Sequence, residues 1–375
     1  MWEQLGLRCA PTPALPVARR RLRGADTGMK RTDPDIARIA RIAQDPLWFA
    51  HRYDPGHDAV HFVRLPREIH RAATFVTDEY LPADAAKLVL HRRAVMAAAA
   101  AAAPLHFIFH SAYCCSTLLA RAFDIPGVAM GLKEPPFFND LVGWKQRGGT
   151  ARDIAAVLDD GLALLARPFA PGEAVVIKPS NIANAFAPAM LTMRPSARAL
   201  LLHAPLTAYL GSIVRKGMWG RLWVRDLLVK QLGDGLHDFG FSPTDYLGQT
   251  DLQVAAIGWL AQHALFERMA KSFGPGRVRA LDSETLVAQP AATMQALATL
   301  FGLRLNAAAV AAVVAGPAFA MHSKFGQDFG ADARTAEAAA TAGHHRDEID
   351  KVAVWTASVA ASAGVSMTPP TPLLG

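Results

Sequence analysis

From Leu105 onward, short apolar runs alternate with longer stretches whose apolar residues recur every three or four positions. "LHFIFH" (105–110) is followed by Leu118, Leu119, Ala122 and Phe123 at helical spacing. "EAVVIKP" (173–179), "ARALLLHAP" (197–205) and "RVRALD" (277–282) are three further candidates for buried strands. "DLQVAAIGWLAQHALFERMAKSFG" (251–274) predicts a long helix stopped at Gly274. "PAATMQALATLFGL" (290–303) sets Met294, Leu297 and Phe301 on one stripe, with Gly302 placed as its C-cap. Strands separated by helical crossovers predict an α/β fold, with helices on both faces of a mostly parallel sheet.

The preceding segment reads differently. In "TDPDIARIARIAQ" (32–44), Asp33 can cap and Pro34 suits the first helical position, with Ile36, Ile39 and Ala43 on one face. "DPLWFAHRYD" and "VHFVRLPREIHRAATFV" follow, the second rich in aromatic and β-branched residues. "PADAAKLVLHRRAVMAAAAAAA" (82–103) predicts a helix broken at Pro104. Residues 33–103 are thus expected to form a mainly helical N-terminal extension, and 104–330 the α/β core. Residues 331–375 are expected to be a C-terminal helix ending in the loose, proline-rich "VSMTPPTPLLG". Residues 1–32 combine "RRRLR" with prolines and lack the apolar core of a secretory signal, so a disordered leader is expected, with Met29 a second candidate start.

Composition narrows the function only a little. With 375 residues, 51% of them hydrophobic, the chain can bury a large core. The net charge of +7 suits an anionic ligand, but the basic residues are scattered and no nucleic-acid recognition motif accompanies them. Three cysteines, Cys9, Cys114 and Cys115, cannot make a disulfide framework, which fits a cytoplasmic protein. They form no metal-ligand spacing with histidines, so no metal is expected. The longest apolar run, Ala94 to Leu105, is far short of the roughly 20 residues that cross a bilayer.

The chemistry concentrates after the first core strand, at "SAYCCST" (111–117). A turn from a buried strand into a helix N-terminus gathers unsatisfied N–H groups and favours an anion. Ser116 and Thr117 can cap that helix or bind a phosphate. GxxxxGK[ST] occurs nowhere, which argues against an ordinary ATP-binding loop. Cys114 and Cys115, with His110 as base, offer a thiol nucleophile as an alternative.

These residues, "AYCCSTLL" (112–119), resemble the 5′-phosphosulfate loop of the sulfotransferase family, in the P-loop fold class. Further stretches follow in the family's order. "GLKEPPFFNDL" (131–141) is similar to its glutamate-bearing segment. "VIKPSNIANAFAPAMLTMRPSARALLLHAPLTAY" (176–209) resembles its Lys-x-Pro strand and the strand carrying the 3′-phosphate motif. "ALDSETLVAQPAATMQALATLFGL" (280–303) is similar to a later strand and helix. The departures are Tyr113 for a basic residue, Cys115 for glycine, His203 for arginine, and Ser212 one position late. "RKGMWGRLW" (215–223) is similar to the family's Arg-Lys-Gly loop but comes early in the chain.

The resemblance implies a three-layer P-loop-type fold and transfer of a sulfonyl group from 3′-phosphoadenosine 5′-phosphosulfate to a hydroxyl or amine. The acceptor would be a small molecule, a glycan or a lipid. It implies Glu134 as general base and Lys178 as the cation at the donor. Ala112, Tyr113, Cys114, Cys115, Ser116 and Thr117 would hold the 5′ end. Ser212, Arg215, His203 and Lys216 would hold the 3′-phosphate. Lys324, in the late basic loop "MHSKFGQDF" (321–329), is expected to be a solvated lysine, with closure over the nucleotide the alternative. Phe137, Phe138 and Trp144 could wall the acceptor, although buried packing is the commoner use of such aromatics. The alternative is a degenerate relative that binds nucleotide or phosphate without transferring anything.

Overall fold

The computed structural model describes residues 33–320 and 331–374. The expected leader, Lys324 and its "MHSKFGQDF" loop lie outside them. By its contacts the chain divides into Met1–Ala37 and Arg38–Gly375. Of the first unit only the start of the helix Asp33–Gln44 is described.

The core of the second unit is a five-stranded sheet of β4 (Leu105–His110), β5 (Ala129–Lys133), β6 (Ala174–Lys178), β7 (Ala199–His203) and β8 (Val278–Asp282). Its spatial order is β5-β6-β4-β7-β8 and every pairing is parallel. β4, β5, β6 and β7 are buried along their whole length, as parallel strands covered on both faces are. Helices Ser116–Ala122, Ala151–Leu165, Leu206–Arg215 and Asp251–Phe273 supply those covers. The long helix ends at Gly274 and Pro290–Phe301 at a left-handed Gly302, both at the expected positions.

β5 had no apolar signature of its own, because "AMGLK" is too short and mixed to stand out. Its Gly131 is essential to the layering: a Cβ there would lie 2.1 Å from the Ala120 carbonyl oxygen of the adjoining helix. The connection from β4 leads toward β5, and that from β7 leads the other way, to β8. The carboxyl ends of β4 and β7 therefore flank a topological switch point, where open α/β sheets place their ligands.

Two expectations are corrected. Residues 33–103 are not mainly helical: they contain a three-stranded antiparallel sheet, β1 (Trp48–Asp54), β2 (Ala59–Arg64) and β3 (Lys87–His91). β3 alternates exposed and half-buried residues and pairs with β2, so tertiary pairing overrides the helix propensity around it. The alanine run behind it is too short, ahead of Pro104, to continue the helix Arg92–Met96. Nor is the C-terminal tail loose after the helix Ala331–Ala363. Ala280 donates to the Thr371 carbonyl (2.8 Å) and Leu373 donates to the Ala280 carbonyl (2.7 Å). The tail thereby covers the otherwise open edge of β8.

Candidate active site

Three neighbouring strand ends converge on one cluster. Lys133 and Lys178 are register partners at the ends of β5 and β6. Glu134, one residue further, turns left-handed (φ 56°) while its amide donates to the Lys178 carbonyl at 2.7 Å. That turn brings the Glu134 carboxylate onto the Lys178 ammonium as an ion pair. Lys178, whose side chain is 1% exposed, also lies 3.4 Å from Thr117 Oγ1 and 4.9 Å above the Phe75 ring. His110 closes the cluster from the end of β4, its Nε2 4.0 Å from Glu134 Oε1. Glu134, Lys178 and Thr117, distant in sequence, are thus brought together.

Lys133 takes no part in this pair. Its ammonium reaches back to the carbonyls of His70 and Arg71, at the end of the helix Arg67–Ala72. Burial, aided by Arg121, lowers its pKa to about 7.

The loop after β4 has an unusual backbone. Ala112 (φ 73°), Tyr113 (φ 51°) and Cys115 (φ 60°) are all left-handed, without a glycine among them. Ala112's amide is turned inward and donates to His110 Nδ1 at 3.1 Å. The Tyr113 ring packs against Tyr209 and Trp223, and burial raises its phenol pKa. Cys114 is buried with its thiol 3.5 Å from the Leu202 carbonyl, and burial pushes its pKa up to about 11. A thiol so held is a packing group, which removes Cys114 as a nucleophile. Ser116 and Thr117 open the helix, where the first amides have no intrahelical acceptor. Cys115, at the N-cap, supplies no side-chain bond to them.

The residues expected at a 3′-phosphate divide into two groups. Arg215 donates to Ser212 Oγ at 2.8 Å, and Ser212 donates to the Ala208 carbonyl, so this pair shares the last turns of one helix. Lys216 follows at an exposed position before the helix Gly217–Gly233. His203 remains at the end of β7, in edge contact with His263, and burial lowers its pKa. It faces a cavity of about 360 Å³ shared with Leu206, Trp259, Asp282, Thr285 and the C-terminal tail. At 1.5 Å per residue, Ser212 lies roughly 9 Å along the helix axis from Leu206.

Phe137 and Phe138 do not wall an acceptor. Both are wholly buried, and Phe137 and Trp144 pack on Tyr53 of β1. An aromatic residue that does lie beside the ion pair is Phe75, in edge contact at 5.5 Å with the exposed Tyr80. Their segment is held by Val76 donating to the Lys133 carbonyl and by Asp78 bonding Arg52 and His51. Sequence reasoning also passed over Asn184 and Gln262, buried amides that join each other at 2.9 Å beneath the loop. The polar residues within "NIANAF" were the one available signal.

Among the described residues no group of histidine, cysteine, aspartate and glutamate could hold a metal, and no helix is long and apolar enough to cross a membrane. No protein-family model matches the chain, and no curated protein matches it. Among solved structures it is similar to a sulfotransferase domain from the curacin biosynthetic pathway. The two are 13% identical, with 72% of this chain and all of that domain covered, at a TM-score of 0.39. A likeness of that degree decides neither fold nor chemistry.

Proposed function

We propose that the chain is a sulfotransferase-like enzyme that moves a sulfonyl group from 3′-phosphoadenosine 5′-phosphosulfate to a hydroxyl or amine. The observation that carries this reading is the meeting of Glu134 and Lys178 beside Thr117, at the carboxyl ends of the strands and the start of a helix. Sulfonyl transfer needs charge neutralised on the sulfonate and leaving-phosphate oxygens, a fixed line of attack, and a group to accept one proton. Lys178 supplies a cation from within the protein, where water does not weaken it. The helix-start amides and the Ser116 and Thr117 hydroxyls supply donors. Glu134 supplies the proton acceptor: its contacts to Lys178 and His110 both involve Oε1, which leaves Oε2 for an acceptor hydroxyl. Ser212, Arg215 and Lys216 are assigned to the 3′-phosphate, with His203, neutral and turned to its own cavity, the weakest member of that set.

The test is transfer of ³⁵S from labelled donor to a mixed acceptor library, run on the wild type and on Glu134→Gln. The variant is expected to retain affinity for 3′-phosphoadenosine 5′-phosphate and lose about 10²–10⁴-fold in turnover. Unchanged turnover would remove Glu134 from this role. A second reading, nucleotide binding without transfer, is favoured by Tyr113, whose packed ring stands where the family has a cation, and by the neutralisation of Lys178 by Glu134. Nucleotide affinity without any labelled product would select it.

A further inference from the structure

We propose that His110 is a positioning residue for this site, one that fixes the loop against the strand carrying Lys178 and does not itself accept the proton. The proposal rests on the reading of the Glu134–Lys178 cluster as the active site. His110 is the last residue of β4 and is buried. An amide N–H can only donate, so the 3.1 Å contact from Ala112 makes Nδ1 an acceptor and places the ring proton on Nε2. Nε2 then donates to the Pro179 carbonyl, 3.1 Å away, one residue beyond Lys178. One imidazole thus joins the first left-handed residue of the loop to the end of β6. Its backbone is held as well: Asn184 Nδ2 donates to the His110 carbonyl at 3.0 Å and to Gln262 Oε1 at 2.9 Å.

The same geometry argues against His110 as the base. In this tautomer the ring's lone pair is on Nδ1 and is committed to Ala112. The 4.0 Å separation from Glu134 Oε1 is too long for a hydrogen bond, so the carboxylate is left to its own chemistry. What the ring controls is the course of the backbone from Ala112 to the helix start, and therefore where the amides and Thr117 stand relative to Lys178.

Two substitutions separate position from proton transfer. His110→Asn keeps an oxygen that can accept the amide two residues on, as an Asx turn does, while losing the link to Pro179. His110→Phe keeps a ring of similar size and loses both bonds. Hydrogen exchange of the loop amides, read on the whole protein without ligand, is expected to rise about tenfold in His110→Phe, the upper range for the one bond that a loop amide itself loses there, and less than threefold in His110→Asn, where that amide keeps an acceptor. Affinity for 3′-phosphoadenosine 5′-phosphate is expected to follow the same order, and the pH–rate profile of His110→Asn should keep its acid limb. Equal loop exchange in all three proteins would overturn the proposal. So would abolished turnover in His110→Asn with loop exchange unchanged, since that marks a base. Failure of the wild type to bind the nucleotide would count against the donor reading alone, because the exchange measurement needs no nucleotide.

Discussion

The two members of the Glu134–Lys178 pair are unequally buried, and that inequality predicts what removing each will do. The Lys178 side chain is 1% exposed and that of Glu134 19%. Glu134→Gln leaves an ammonium inside the protein with no countercharge and little water. Breaking a buried pair from one side costs about 3–5 kcal/mol, and the partial exposure of Glu134 places this case near 3 kcal/mol. That is roughly a hundredfold change in the folded-to-unfolded ratio. Lys178→Met leaves a carboxylate that can turn to solvent, and the thioether takes the ammonium's place over Phe75, so about 1.5 kcal/mol is expected. The double variant leaves no charge to strand and should resemble Lys178→Met alone. The cycle should therefore be non-additive by about 3 kcal/mol. Urea denaturation of the four proteins at pH 7, with a common denaturant slope, measures it. A Glu134→Gln loss no larger than that of Lys178→Met, or additivity within about 0.5 kcal/mol, would refute the account of the pair.

Three further outcomes follow from the structure. Gly131→Ala should cost at least about 3 kcal/mol and disturb the loop, because its methyl meets the Ala120 backbone carbonyl and no flexible side chain that could move aside; a stability loss under about 1 kcal/mol would show that β5 and the helix can separate. Lys133 titrates near pH 7 in the fold and in its ordinary higher range when unfolded, so the unfolded chain binds more protons between the two. Stability should rise with pH across that window, and Lys133→Met should flatten the rise, as denaturation midpoints at pH 6.5, 8 and 9.5 would register. Burial holds His70 near pKa 3 and His106 near 4, both below the ordinary 6.5. Their contribution is complete above pH 6.5 and is lost as pH falls toward 4, at about 1.4 kcal/mol per pH unit for each ring; unfolding without net proton uptake at pH 5 would contradict it.

The strands that sequence made most legible are those with a conspicuous apolar run, because a run such as "LHFIFH" or "ALLLH" has few other fates. β5 was missed and β3 was read as helix, since both owe their state to partners: Gly131 to a close-lying helix and Lys87–His91 to β2. The site was legible to the extent that it lies at strand ends. Glu134, Lys178 and Thr117 could be named from the motif order, but their meeting depends on the β5–β6 register and the left-handed turn at Glu134, which no local pattern encodes. The aromatic residues went the other way. Phe137 and Phe138 sit next to Glu134 in sequence and are core, whereas Phe75 reaches Lys178 only because Val76 bonds β5.

Among the described residues, four of the six non-glycine residues with positive φ are Ala112, Tyr113, Cys115 and Glu134. At about 1 kcal/mol or more each, this one cluster stores roughly 4 kcal/mol, a large share of a typical net stability of about 5–15 kcal/mol. Such strain persists only where surroundings over-determine it, and here three of the four have a separate tether. Ala112 is tied to His110, Tyr113 is packed on Tyr209 and Trp223, and Glu134 is bound by its amide and its carboxylate to Lys178. A plain strand-to-helix junction needs none of this, since an extended serine at the N-cap would serve the helix better than Cys115, which caps nothing. Capping of that helix therefore does not account for the strained backbone. If so, Cys115→Gly should be tolerated: losing the left-handed penalty offsets the small thiol contact and the added freedom of the unfolded chain, for a net change within about 1 kcal/mol. Its loop exchange should match the wild type. A loss well beyond that, measured by denaturation, would mean that the thiol and not the backbone is what this position supplies.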